Sequence, residues 1–201
     1  MPGARQDVER VSHSERHTEG EKVLVAMQYS QISWVVDDLD AAVQQWRQTA
    51  RIGPFFQGAH VGGIFTEARH RGRPFEVDMS IAVAQGGPVQ IELIKQHGAA
   101  PSPYRDVFAE GESGLHHIGG FVDDVEAECR NYQEQGFDVV MTGMVAGQTP
   151  AAYVDTRATL GCMTELMGRS DFVGAIHAAV AAAAADWDGT DPIRDFATLL
   201  P

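Results

Sequence analysis

Two stretches of the chain carry the same order of apolar and polar positions. "QISWVVDDLDAAVQQW" (Gln31–Trp46) and "HIGGFVDDVEAECRNY" (His117–Tyr132) align with Gln31 on His117, and five of the sixteen paired positions are identical. Each opens with a short alternating apolar run, meets a pair of aspartates, and continues with apolar residues at helical spacing. Leu39, Ala42, Val43 and Trp46 form the helical stripe of the first copy; Val125, Cys129 and Tyr132 form that of the second. The second aspartate of each pair is placed to cap the helix and the first to complement its dipole. Gly53-Pro54 and Gly136 end the helices.

After each helix the period shortens to that of strands. In the first copy strands are predicted near 54–57, 63–68, 75–84 and 89–95, with "QGGP" as the last turn; in the second, near 138–143, 151–155 and 162–167. The copies also end alike, "IELIK" against "TELMG", with Glu92 on Glu165. The expected fold class is α+β, two tandem βαβββ modules (28–96 and 115–169) joined by a linker (97–114) that carries a short helix near 104–109. Residues 1–27 form a polar N-terminal arm. Beyond Ser170 an alanine-rich segment predicts a C-terminal helical extension (171–201), with an Asp cap and a stripe of Phe172, Ile176, Val180 and Trp187 that packs on the domain or on a second subunit.

Strand parity selects the residues that face a common cavity. Ile32, Trp34 and Val36 pack under the first helix, leaving Gln31 on the open face. Ile118 and Val122 pack under the second, together with His116, so His117 faces the cavity with Gly119. Ile91 and Leu93 leave Glu92 facing inward; Thr164 and Leu166 leave Glu165 inward. Joined across a pseudo-twofold axis, Gln31, Glu92, His117 and Glu165 converge. One imidazole, two carboxylates and an amide oxygen suit a divalent ion, with two coordination positions left for substrate oxygens.

Composition narrows the function. A net charge of −13 without a Lys/Arg stripe argues against a nucleic-acid partner. No apolar run approaches the ~18–20 residues of a membrane span. Two cysteines and an N-terminus without an apolar core fit a cytoplasmic protein with a small-molecule substrate. A homodimer is expected.

The stretches "QISWVVDDLDAAVQQW", "VQIELI", "GLHHIGGFVDDVEA" and "MTELM", spanning roughly 29–168, resemble the vicinal oxygen chelate superfamily, nearest its glyoxalase I and methylmalonyl-CoA epimerase branches. The resemblance implies one divalent ion per chain (Zn, Ni, Co, Mn, Mg or Fe) held at the first and last strand of each module, that is by Gln31, Glu92, His117 and Glu165. It also implies a lyase, isomerase or epimerase acting on a carbonyl or acyl-CoA-type molecule through an enolate held on the metal. Gln31 stands where epimerases of this type usually carry histidine, and resembles certain glyoxalase I members instead. Extradiol dioxygenase chemistry is disfavoured by Gln31 and by the acidic Glu92. A non-catalytic binder of an apolar molecule is the competing class. Such reactions need a base, for which Glu165 is one candidate. A second acid or base is expected on "PFEVDMSIAVA": if Phe75, Val77, Met79, Ile81 and Val83 form the packed face, Asp78 or Glu76 faces the cavity, with Asp78 preferred. The Arg69/Arg71/Arg73 cluster is expected to be a solvated loop, with a phosphate or carboxylate partner as its alternative.

Overall fold

The computed structural model describes residues 27–200; the polar arm, with His13 and His17, lies outside the described residues. The first module comprises β1 (Gln28–Val35), α1 (Leu39–Thr49), β2 (Phe55–Gly58), β3 (Phe65–His70), β4 (Arg73–Pro74), β5 (Met79–Gly86) and β6 (Val89–Gln96). The second comprises β7 (Gly114–Val122), α2 (Val125–Glu134), β8 (Val139–Val145), β9 (Thr149–Val154), α3 (Arg157–Leu160) and β10 (Met163–Gly168). The tail adds α4 (Asp171–Ala185), β11 (Ile193–Asp195) and a 3-10 turn at Phe196–Leu199.

The aspartate pairs act as their position predicts. Asp38 and Asp124 cap α1 and α2, their carboxylates accepting from Ala41 N–H and Ala127 N–H at 3.0 and 2.9 Å. The N-cap of α4 is Ser170, which accepts from Val173 N–H at 3.2 Å, rather than Asp171, which sits in the first turn. The linker forms hydrogen-bonded turns over Ser102–Phe108 in place of the expected helix.

One curled sheet runs β11-β2-β5-β6-β1-β7-β10-β9-β8-β3-β4 among the described residues. Its centre is the antiparallel β1–β7 pair, flanked by β6 parallel to β1 and β10 parallel to β7. The two modules therefore repeat the same arrangement about the β1–β7 seam, β1-β6-β5-β2 on one side and β7-β10-β9-β8 on the other. The segment at 63–68 departs from the expected series. As β3 it leaves its own module and pairs with β8 at the far edge of the other, while β11 pairs with β2.

Helix α1 covers the outer face of the first module over Ala82, Ala84, Ile91 and Leu93; α2 covers the second over Ala152, Val154 and Leu166. The third and largest cluster fills the concave side of the sheet, where Met79, Ile81 and Val83 meet Met141, Tyr153 and Met163, and Ile176 and Val180 of α4 close over them. This reverses the parity expected for β5. Its small residues, Ala82 and Ala84, lie under the helix, and its large ones face the concavity, because the interior of the cup is itself an apolar core. The strand also begins at Met79, so residues 75–78 are irregular. Parity holds as expected for β1, β6 and β10.

Candidate metal centre and cavity

The four central strands β6, β1, β7 and β10 each contribute one of the four residues expected to converge. Ser33 lies opposite both Glu92 and His117, and Gly119 lies opposite both Gln31 and Glu165. From His117 Nε2, Gln31 Oε1 is 3.4 Å away, Glu165 Oε2 3.4 Å and Glu92 Oε2 3.7 Å. His117 is fully buried, and the side chains of Glu165 and Glu92 are 4% and 15% exposed. Gly119 makes room for this: a Cβ there would lie 2.8 Å from Glu165 Oε2.

His116 does not pack under α2. Ser33 pairs with His117 but Trp34 with Leu115, so His116 is the extra residue of a β-bulge. The bulge cancels the alternation, and both histidine rings turn into the same buried cluster, their Nδ1 atoms 2.9 Å apart. A tautomer follows from the hydrogen bonds. The Pro103 carbonyl, 3.1 Å from His116 Nε2, requires an N–H there. Neutral His116 then accepts at Nδ1, so His117 donates from Nδ1 and its Nε2 carries a bare lone pair. Burial, reinforced by His117, pushes His116 down to about 3, which keeps it in this neutral form.

The amide is oriented in a comparable way. Gln31 Nε2 donates to Gln90 Oε1 at 2.7 Å, which leaves Gln31 Oε1 turned to His117. Glu165 Oε2 is buried without a hydrogen-bond partner. Burial pushes the Glu92 carboxyl up to about 7; His117 opposes this and Glu165 adds to it. The centre thus gathers an imidazole lone pair, two carboxylates and an amide oxygen, with the Ser33 hydroxyl beside Glu92. These donor types fit a divalent metal. Among the described residues, the one trio of His, Cys, Asp or Glu with ligand atoms all within 4.8 Å of one another is His60, Asp78 and His97. The two carboxylates of the cup therefore stand wider apart than that on either side of His117, and a side chain would have to move to enclose an ion.

Above Gln31, Glu92 and Glu165 opens a cavity with an empty volume of about 630 Å³, solvent at its open mouth included. Its walls are mostly apolar: Met79, Ile81 and Val83 from β5, Ile64 and Phe65 from the segment entering β3, and Ile176 from α4. Among the described residues no Lys or Arg lines it. Four polar residues outside the predicted set line it: Gln90, Tyr104 and Tyr153, whose phenols are both pushed up by burial, and His177 of α4. The His177 ring lies edge-on to Phe121 at 5.0 Å, and burial lowers its basicity against a pull from Glu165. The only sequence signal for His177 is its place beside Val173, Ile176 and Val180 on the buried stripe of α4.

Asp78 is not part of this cavity. Its side chain is 53% exposed and both carboxylate oxygens accept from His60 Nδ1, at 2.8 and 3.0 Å. Glu76 is exposed in the same irregular segment. The arginine cluster is engaged locally: Arg71 pairs with Asp106 at 2.9 Å, and Arg69 donates to the Gly72 carbonyl.

Residues 30–153 match the model of the Glyoxalase/Bleomycin resistance protein/Dioxygenase superfamily, and the chain belongs to that superfamily. The match stops short of Glu165 and α4. No curated protein sequence matches the chain. Similar solved structures include a hypothetical protein from Bacillus halodurans C-125 (14% identity, 73% of this chain and 97% of that one, TM-score 0.52). Others are methylmalonyl-CoA epimerases, from Mycobacterium tuberculosis (17% identity, 79% and 97%, TM-score 0.49) and from Streptomyces coelicolor, as a variant in complex with 2-nitronate-propionyl-CoA (18%, 72% and 98%, TM-score 0.46). At these identities the likeness is one of fold. No helix among the described residues is long and apolar enough to cross a membrane.

Proposed function

We propose that the protein is a divalent-metal-dependent lyase, isomerase or epimerase that moves a proton next to a carbonyl group. The observation that carries this reading is the set of three oxygen acceptors gathered around the buried His117 Nε2, the four groups drawn from corresponding strands of the two modules, with His117 oriented through Pro103 and His116 and Gln31 through Gln90. Gln31, Glu92, His117 and Glu165 would hold the ion, whose contribution when bound is to polarise a substrate carbonyl as a Lewis acid. Glu165, with an unpartnered oxygen at the cavity floor, is the group placed to accept the proton. The role expected of Asp78 has no support in its position. The groups facing the cavity that remain for a second proton or hydrogen bond are His177, Tyr104 and Tyr153.

Between a free carbonyl compound and an acyl-CoA, the lining favours the former: an apolar chamber to which the described residues bring no Lys or Arg suits an uncharged, largely apolar body better than a phosphate-bearing one. The same lining would serve the competing reading, a binder of apolar molecules. Metal analysis combined with deuterium uptake at the α-carbon, followed by NMR over a panel of α-keto, hydroxy-ketone and acyl-CoA compounds, separates the two. The enzyme reading expects about one ion in the cup of each chain and exchange in at least one compound. In Glu165→Gln, which keeps one oxygen for the ion, exchange falls at least ~10²-fold. Metal-loaded protein that exchanges nothing yet binds an apolar ligand tightly establishes the binder instead.

A further inference from the structure

Outside the cup, on the far side of β5, His60, Asp78 and His97 come together from three separate segments: the turn after β2, the irregular stretch before β5 and the residue after β6. Their ligand atoms all lie within 4.8 Å of one another. Backbone bonds tie the three segments directly. Val61 N–H donates to Met79 O at 2.7 Å, His97 N–H to Asp78 O at 2.8 Å, and His60 N–H to the buried Ser80 hydroxyl at 3.1 Å. The turn cannot slide, because Gly62 packs so closely that a Cβ on it would fall 1.6 Å from the Val77 carbonyl oxygen. His60 itself holds φ +53, in the left-handed region, at a cost a non-glycine residue bears only where its surroundings fix it.

We infer that His60, Asp78 and His97 form a second metal site, a structural clip for a borderline divalent ion such as Zn²⁺, distinct from the centre in the cup. Two imidazoles and a carboxylate are the ligand types Zn²⁺ takes, with water completing the shell at this exposed position. The His60 Nδ1 and Asp78 oxygens already stand 2.8 and 3.0 Å apart, close to the spacing of neighbouring ligands around an ion bound at ~2.0–2.2 Å. His97 Nε2 is held by Ser80 Oγ at 2.8 Å, the kind of outer partner that orients metal-bound imidazoles. The His60 and His97 rings are stacked at 4.5 Å without the ion, and the exposed His60 ring has room to turn toward it. Asp78 has His60 as its one ion-pair partner among the described residues. The turn that His60 belongs to runs directly into Ile64 and Phe65 of the cavity wall, so an ion bound outside would fix part of the chamber inside.

The test is Zn²⁺ stoichiometry of the full-length protein, by calorimetric titration and by elemental analysis after dialysis. The wild type is expected to hold two ions per chain, with His117→Ala holding one and Asp78→Asn holding a different one. His60→Asn with His97→Gln is the second variant, since asparagine tolerates the left-handed backbone and glutamine keeps a bond to Ser80. Loss of one ion in these outer variants while His117→Ala still loses its own supports the clip. If the wild type holds a single ion that Asp78→Asn removes and His117→Ala does not, the clip stands and the cup reading falls. If Asp78→Asn and the double variant bind as many ions as the wild type, the clip is overturned, whatever the cup does.

Discussion

The two modules place different chemistry on the same frame. Each has a β-bulge one residue before its inward-facing ligand: the β1–β7 register skips Ser30 ahead of Gln31 and His116 ahead of His117. The symmetry of the duplication therefore extends to the irregularities of the strands. The first module puts a small hydroxyl residue in its bulge and orients its amide ligand through Gln90 on the adjacent strand. The second puts an imidazole there and passes a hydrogen bond from Pro103 in the linker, through His116, to His117. A flexible amide needs only an anchor, whereas an imidazole ligand needs its tautomer fixed. The second half of the site is also drier, with Glu165 more deeply buried than Glu92. On the proposed metal reading, the asymmetry would make the imidazole half the one that binds the ion and the amide half the one that adjusts it.

The largest test of that asymmetry is direct. His117→Ala should weaken Zn²⁺ binding in the cup at least ~10²-fold, whereas Gln31→Ala should cost about tenfold, both by titration in the Asp78→Asn background. Equal losses would remove the distinction between the halves. Next, His116→Phe fills the same buried space without the hydrogen bond and should weaken the ion ~10–100-fold, the range for outer partners of metal ligands, while Ser30→Ala should change nothing. A comparable loss from Ser30→Ala would show that the bulges matter as backbone rather than through their side chains.

A third effect is on stability. With its folded-state pKa pushed down to about 3 from an ordinary 6.5, His116 stays neutral while the unfolded chain takes up a proton. Its contribution is full above pH ~6.5 and is lost progressively as the pH falls toward 3, by up to about 1.4 kcal/mol per pH unit. Glu92, raised to about 7, acts in the opposite sense over the same range, so the readout is the stability of the metal-free wild type relative to His116→Phe in urea unfolding, which should fall between pH 7 and pH 5. The smallest effect belongs to Gln90→Leu, which frees the Gln31 amide to flip and should weaken the ion severalfold without changing the fold.

What could be read from the chain was whatever the repeat and the alternation encode. The aspartate caps, the two helical stripes and the inward direction of Gln31, Glu92, His117 and Glu165 follow from period alone. Parity fails wherever a strand is interrupted. The bulge at His116 adds one residue that no hydrophobic pattern marks, and β5 begins four residues later than its alternation suggests. The alternation of β5 also has two apolar neighbours to choose between, the helix and the cup, and residue size decides: alanines against α1, Met79 and Ile81 against the cavity. His177, Tyr104 and Gln90 lie outside the internal symmetry or beside it, so nothing in the repeat points to them.

The exchanged edges bear on how the chain acquires its shape. Strand β3 of the first module is held by β8 of the second, and β11 from the tail is held by β2 of the first. Neither half has both its borders until the other exists, and the last strand cannot dock before residue 193 is available. Pairings of such long sequence separation carry a high loop-closure cost and form late. The expectation is a slow, concerted folding step in which the cup, its roof and the four converging side chains appear together, and a chain shortened before β11 that leaves the β2 border open to strand addition by other molecules.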